Sequence, residues 1–77
     1  MKVDFKASFA RDLKRIKNQE LLRQIQGVIE RIESAENIHE IPNLKRLQVE
    51  GRYYRIRVGD YRIGLIIEAE LVTFVRF

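Results

Sequence analysis

The sequence has no cysteine and no tryptophan, and only one histidine, one proline and one methionine. Without cysteine there is no disulfide frame, no thiolate metal site and no thiol nucleophile. That usage agrees with a reducing cytoplasm, the expected location. His39 alone cannot build a multi-histidine metal centre, and it leaves one base for the two serines, Ser8 and Ser34. Hydrolase triads and ordinary zinc enzymes are therefore not expected, and no metal or cofactor is assigned. No apolar run approaches the roughly 20 residues of a membrane helix. The opening, with Lys2, Asp4 and Lys6, lacks the apolar core of a signal peptide.

What is present describes a folded domain. Apolar residues make up 45% and charged residues 34%, which separates the chain from a disordered tail. Its 77 residues allow one domain, 1–77. A chain this short buries only about 60% of its unfolded surface. Fifteen Lys and Arg against eleven Asp and Glu leave a net charge of +4. Residues 1–40 hold eight basic and seven acidic side chains, and residues 41–77 hold seven and four. The positive excess belongs to the second half, and it favours polyanionic partners, nucleic acid or acidic protein.

Val3 and Phe5 alternate with polar neighbours, predicting a short first strand. Ser8 is expected to cap a helix carrying the stripe Phe9, Leu13 and Ile16, with Asp12 near its positive end. Asn18 reads as the break and the cap of a second helix. There Leu21, Leu22, Ile25, Val28, Ile29 and Ile32 form an apolar stripe. Gly27 interrupts that helix, as if to permit close packing. The run from Asn37 to Asn43, with Pro42, ends the helical part, and the period then changes to two. Strands are predicted at Leu44–Glu50, Tyr53–Val58, Tyr61–Ile67 and Leu71–Phe77, with turns at Gly51-Arg52, Gly59-Asp60 and Glu68-Ala69-Glu70. The expected fold is α+β: a short N-terminal strand, an antiparallel two-helix hairpin, then an antiparallel β-meander with both helices on one face. The sequence stops at Phe77 inside an apolar strand, as expected of a domain trimmed there or completed by a partner.

A two-residue turn at Gly59-Asp60 sets the register of its hairpin. Val58 then faces Tyr61, Ile56 faces Ile63 and Tyr54 faces Leu65, making one apolar face. The other face pairs Arg57 with Arg62, Arg55 with Gly64, and Tyr53 with Ile66. Three guanidiniums thus share a patch beside a glycine, and like charges opposite each other destabilise a sheet. Such a patch suits an anion, because the arginine fork gives phosphate two hydrogen bonds. Tyr53 is placed to stack on a base, and Lys45, Arg46 and Arg52 extend the charge along the neighbouring segment. The same pattern also fits an ordinary solvated sheet face. His39, between Glu36, Glu40 and Pro42, reads as a surface residue. Glu30, Glu33, Glu36 and Glu40 read as a solvated helix face and not a metal site.

The segment from Tyr54 through Arg-Ile-Arg-Val-Gly-Asp-Tyr to Arg62, with Ile63–Ile67 and Val72–Arg76, resembles the RelE/ParE toxins of bacterial toxin–antitoxin pairs. The opening from Phe5 to Leu13 and the Leu44-Lys-Arg-Leu segment are similar to the same family. The resemblance covers the whole chain, and its RelE branch implies a ribosome-dependent endoribonuclease that cuts messenger RNA without a metal. The ribose 2′-hydroxyl attacks the adjacent phosphate, and an arginine and lysine cluster stabilises the charge that builds there.

By that resemblance Arg62 and Arg57 clamp the scissile phosphate and Arg55 assists them. Lys45, Arg46, Arg52, Tyr53 and Arg76 bind RNA. The implied partners are a cognate antitoxin, the ribosome and messenger RNA, with no membrane. In the family the last strand runs on into a basic segment, often with His-Arg and then a Tyr in a final turn. This sequence ends at Phe77, before those residues, so its C-terminal element is expected to be missing and its catalysis weakened or absent. Two other readings stay open: a ParE-like poison of DNA gyrase, and a non-catalytic module that binds its antitoxin for autoregulation.

Overall fold

A computed structural model describes residues 1–47 and 51–77. Strand β1 (Lys2–Phe5) leads into helix α1 (Ala7–Lys14) and helix α2 (Gln19–Ser34). A single 3-10 turn (Ile38–Glu40) follows, then strands β2 (Leu44–Arg46), β3 (Tyr53–Val58), β4 (Tyr61–Glu68) and β5 (Leu71–Arg76). The strand expected over Leu44–Glu50 is thus present as far as Arg46, while Gln48, Val49 and Glu50 lie outside the described residues.

Helix α2 starts as its sequence dictates. The Asn18 side chain accepts from the Leu21 amide at 3.1 Å, and Glu20 lies in the first turn, where a carboxylate suits the helix dipole. Its last carbonyls take the Met1 ammonium, which donates to Ala35 O at 2.7 Å and to Glu33 O at 3.1 Å. Helix α1 departs from expectation. Lys6 occupies its cap position without a side-chain bond, and the Ser8 hydroxyl instead donates to the Val75 carbonyl at 2.6 Å. The helix begins one residue before Ser8, so that side chain is free to reach across to the sheet.

The sheet runs β1-β5-β4-β3-β2. Three of its four pairings are antiparallel, but β1 lies parallel to β5, so the sheet is mixed and not wholly antiparallel. The helices carry the chain over one face from the β1 edge to the β2 edge. The meander then returns strand by strand until β5 meets β1. Alternation identifies a strand but not its partner, which is why the parallel pair was not foreseen.

Both helices lie on one face. Phe9, Leu21, Ile25 and Ile32 are buried against Tyr54, Ile56, Val58, Ile63, Leu65, Ile67, Val72 and Phe74 of the sheet. The rings of Phe5, Phe74 and Phe77 surround Phe9, with centroids 5.1 to 5.9 Å from it. Burial of that apolar area is the main stabilising contribution, at about 25 cal/mol per Å². Among the described residues no helix is long and apolar enough to cross a membrane.

Candidate nucleic-acid interface

The hairpin register is the one its turn requires. Gly59 has φ 60° and Asp60 does not enter that region, the two-residue turn with glycine in first place. Arg57 stands opposite Arg62, Arg55 opposite Gly64, and Tyr53 opposite Ile66. Partners across a sheet share a face, and these face away from the helices. Lys45 of β2 stands opposite Arg55 and joins the same face. Tyr61 ends the apolar side, 49% exposed, with its ring edge-on to Phe77.

Strand β5 adds the fifth cation by an irregularity. Leu65 pairs with Phe74 but Gly64 pairs with Arg76, so Val75 is an extra residue, a β-bulge. In unbroken alternation Arg76 would share the helix side with Phe74. The bulge reverses the phase, and Arg76 crosses the space over Gly64. A Cβ built on Gly64 would lie 3.5 Å from the Arg76 Cγ. Phe77 turns inward to stack on Phe9. Lys45, Arg55, Gly64 and Arg76 form one row across four strands, with Arg57 and Arg62 beside it.

Among the described residues no ion pair joins Lys45, Arg55, Arg57, Arg62 or Arg76 to a carboxylate. Arg57 is partly fixed, its Nε donating to the Gly59 carbonyl at 3.2 Å. Among the described strand residues two acids share this face: Asp4 of β1, opposite Thr73, accepts from the Phe5 amide at 2.8 Å, and Glu68 of β4, opposite Leu71, is paired with Arg52. Cross-strand Cβ atoms lie only about 4.5–5.5 Å apart, so Arg57 and Arg62 form a like-charge pair of the kind that destabilises a sheet.

Two expected residues fall outside the cluster. Arg46 pairs with Tyr54, which puts it on the opposite face, its guanidinium 5.8 Å from that ring and its Nε bonded to Gly51 O. Slipping one position along a strand changes the face, so adjacent Lys45 and Arg46 cannot both serve the same surface. Arg52 is held by Glu68 and lies over the Tyr53 ring at 5.9 Å. Tyr53 first and Glu68 second raise its pKa above the ordinary arginine value, keeping it charged and paired. Tyr53, 45% exposed, therefore presents one ring face already covered by that guanidinium.

Sequence reasoning missed the bulge and its supports. Ser8 bonds to the bulged residue's carbonyl, and Asp12, read as a helix-terminus charge, accepts from the Phe77 amide at 3.3 Å. The available signal was the spacing of Phe74 and Phe77. Two core-seeking rings three apart break a period of two.

The chain is thus a small α+β domain, a two-helix layer on one face of a five-stranded mixed sheet. Residues 3–77 match the model of the ParE toxin of type II toxin–antitoxin system, parDE, and the chain belongs to the RelE/ParE toxin family. It is 32% identical over 77 residues to Toxin RelE3 of Methanocaldococcus jannaschii, covering 99% of this chain and 86% of that protein. It also superposes on the toxin family's structure in the crystal structure of the RelB-RelE antitoxin-toxin complex from Methanococcus jannaschii. There the TM-score is 0.80 and the identity 29%, covering 95% of this chain and 85% of that one.

Proposed function

We propose that this toxin is a ribosome-dependent endoribonuclease acting on messenger RNA, held in check by a protein antitoxin. The observation that carries the reading is the cluster of Arg55, Arg57, Arg62 and Arg76 around Gly64 on the solvent face. Like charges at this density favour an anion between them, and a phosphodiester fits the arginine fork.

In this reading the 2′-oxygen of one ribose forms a bond to the adjacent phosphorus as the bond from phosphorus to the 5′-oxygen breaks. The products are a cyclic phosphate and a free 5′-hydroxyl. Arg62 and Arg57 hold the non-bridging oxygens, where negative charge grows, and Arg55, Arg76 and Lys45 hold flanking phosphates. The proton lost by the 2′-hydroxyl and the one gained by the 5′-oxygen pass through water or the ribosome, since guanidinium does not deprotonate. An antitoxin that covers this face silences it, and the crystallised RelB-RelE relative supports such a partner.

The test is primer extension on a defined messenger RNA in a reconstituted translation reaction. Cuts are expected only at ribosome-occupied codons, and Arg62→Ala is expected to lower cleavage about 100-fold or more with the fold intact. The match of residues 3–77 to the ParE toxin family favours a second reading, a gyrase poison. Intact RNA together with broken DNA in a gyrase supercoiling reaction would replace the first reading by the second. Antitoxin binding with neither activity would leave the non-catalytic module.

A further inference from the structure

Helix α1 grips the end of β5 at three points. The Ser8 hydroxyl donates to the Val75 carbonyl at 2.6 Å across 67 residues of sequence. The Phe9 ring stacks on Phe77 at 5.9 Å, and the Asp12 carboxylate accepts from the Phe77 amide at 3.3 Å. Residues 8 and 12 are one helical turn apart and lie on the same side. All three contacts act on the residues that bracket Arg76.

A bulged residue is left out of the ladder, and its polar groups need other partners. Here a serine on the covering helix supplies a donor to Val75. Remove that donor and the partly buried carbonyl is left unsatisfied, which favours loss of the bulge. A regular register would set Val75 opposite Gly64 and turn Arg76 toward the phenylalanines, where an unpaired guanidinium is strongly disfavoured. The end of β5 would then fray from β4.

We infer that Ser8 is a positioning residue for the arginine site: by holding the Val75 carbonyl it keeps the bulge, and the bulge keeps Arg76 over Gly64 on the anion face. The functional consequence rests on the proposed phosphate-binding role of that face, but the placement can be tested without RNA.

Two readouts on the full chain separate the inference from that reading. In nuclear magnetic resonance spectra, a cross-strand contact between the Gly64 Hα protons and the Arg76 γ-methylene protons, whose carbon lies 3.5 Å from the Gly64 Cβ position, is expected in the wild type and in Ser8→Thr, which keeps the hydroxyl. It is expected to vanish in Ser8→Ala. In binding of a short oligouridylate, Arg76→Ala should reduce the slope of log affinity against log salt by about 0.7, one phosphate contact. Ser8→Ala should lower it equally, the double variant no further, and Ser8→Thr not at all.

A Ser8→Ala protein that melts earlier yet keeps the contact, or keeps the slope that Arg76→Ala loses, would overturn the inference. Wild-type binding insensitive to salt would instead overturn the nucleic-acid reading, with the Gly64–Arg76 contact still deciding the role of Ser8. Should Ser8→Ala not fold, Ser8→Cys, similar in size and a weaker donor, answers the same question.

Discussion

Arg57 and Arg62 oppose each other across two strands, and a fold selected for stability alone would not keep that pair. Opposed like charges cost roughly 0.2–1 kcal/mol. Arg62→Gln should therefore raise the urea midpoint by a corresponding amount while lowering the cleavage proposed above, and equal or lower stability would contradict an uncompensated patch. Ala69 is a second costly residue. It takes φ 52° in the turn between β4 and β5, in the left-handed region that disfavours a side chain by about 1–2 kcal/mol. Glycine gives back part of that gain through unfolded-chain entropy. Ala69→Gly is still expected to stabilise by up to about 1 kcal/mol with an unchanged denaturant slope. A lower midpoint would show that the turn is not strained.

Among the elements, α2 carries a glycine that its own packing does not explain. Among the described residues a Cβ on Gly27 would meet nothing within 4 Å outside its own helix backbone, so the close packing expected of it is absent there. It borders a cleft of about 290 Å³ that is also lined by Val28, Arg31, Ile56 and Val58. Gly27→Ala should stabilise the helix by about 1 kcal/mol in thermal unfolding, and a loss would reveal a contact that the open space does not suggest. The β3–β4 hairpin was legible from sequence because a two-residue turn lets every cross-strand pair be counted from Gly59 and Asp60. Lys45 was legible too, but Arg46 needed the register of β2, which no tight turn fixes. Strand β5 defeated the same counting, since one extra residue inverts every face beyond it. Ser8 was misread because a serine before a helical stripe is ordinarily a cap, and its partner lies 67 residues away.

The whole molecule depends on few buried rings. Phe9 is fully buried and touches Phe5, Phe74 and Phe77, so it joins β1, α1 and β5. Phe9→Ala should cost about 3–5 kcal/mol. A domain of this length has a total of only about 4–12 kcal/mol. The variant is expected to be unfolded or barely folded at room temperature by circular dichroism, and a cooperative transition near the wild-type midpoint would show that the core lies elsewhere. The parallel pairing of β1 with β5 bears on how the molecule comes into being. Synthesis makes residues 2–5 first, yet their neighbours are residues 71–76, so the first strand must wait while the rest of the sheet is translated. Closing so long a loop is slow compared with forming the helices between. The arginine row is likewise incomplete until Arg76 has left the exit tunnel. On the reading proposed above, the anion face is thus assembled only after the helices have formed, which leaves an interval in which a protein inhibitor can meet the folding domain before that face is complete.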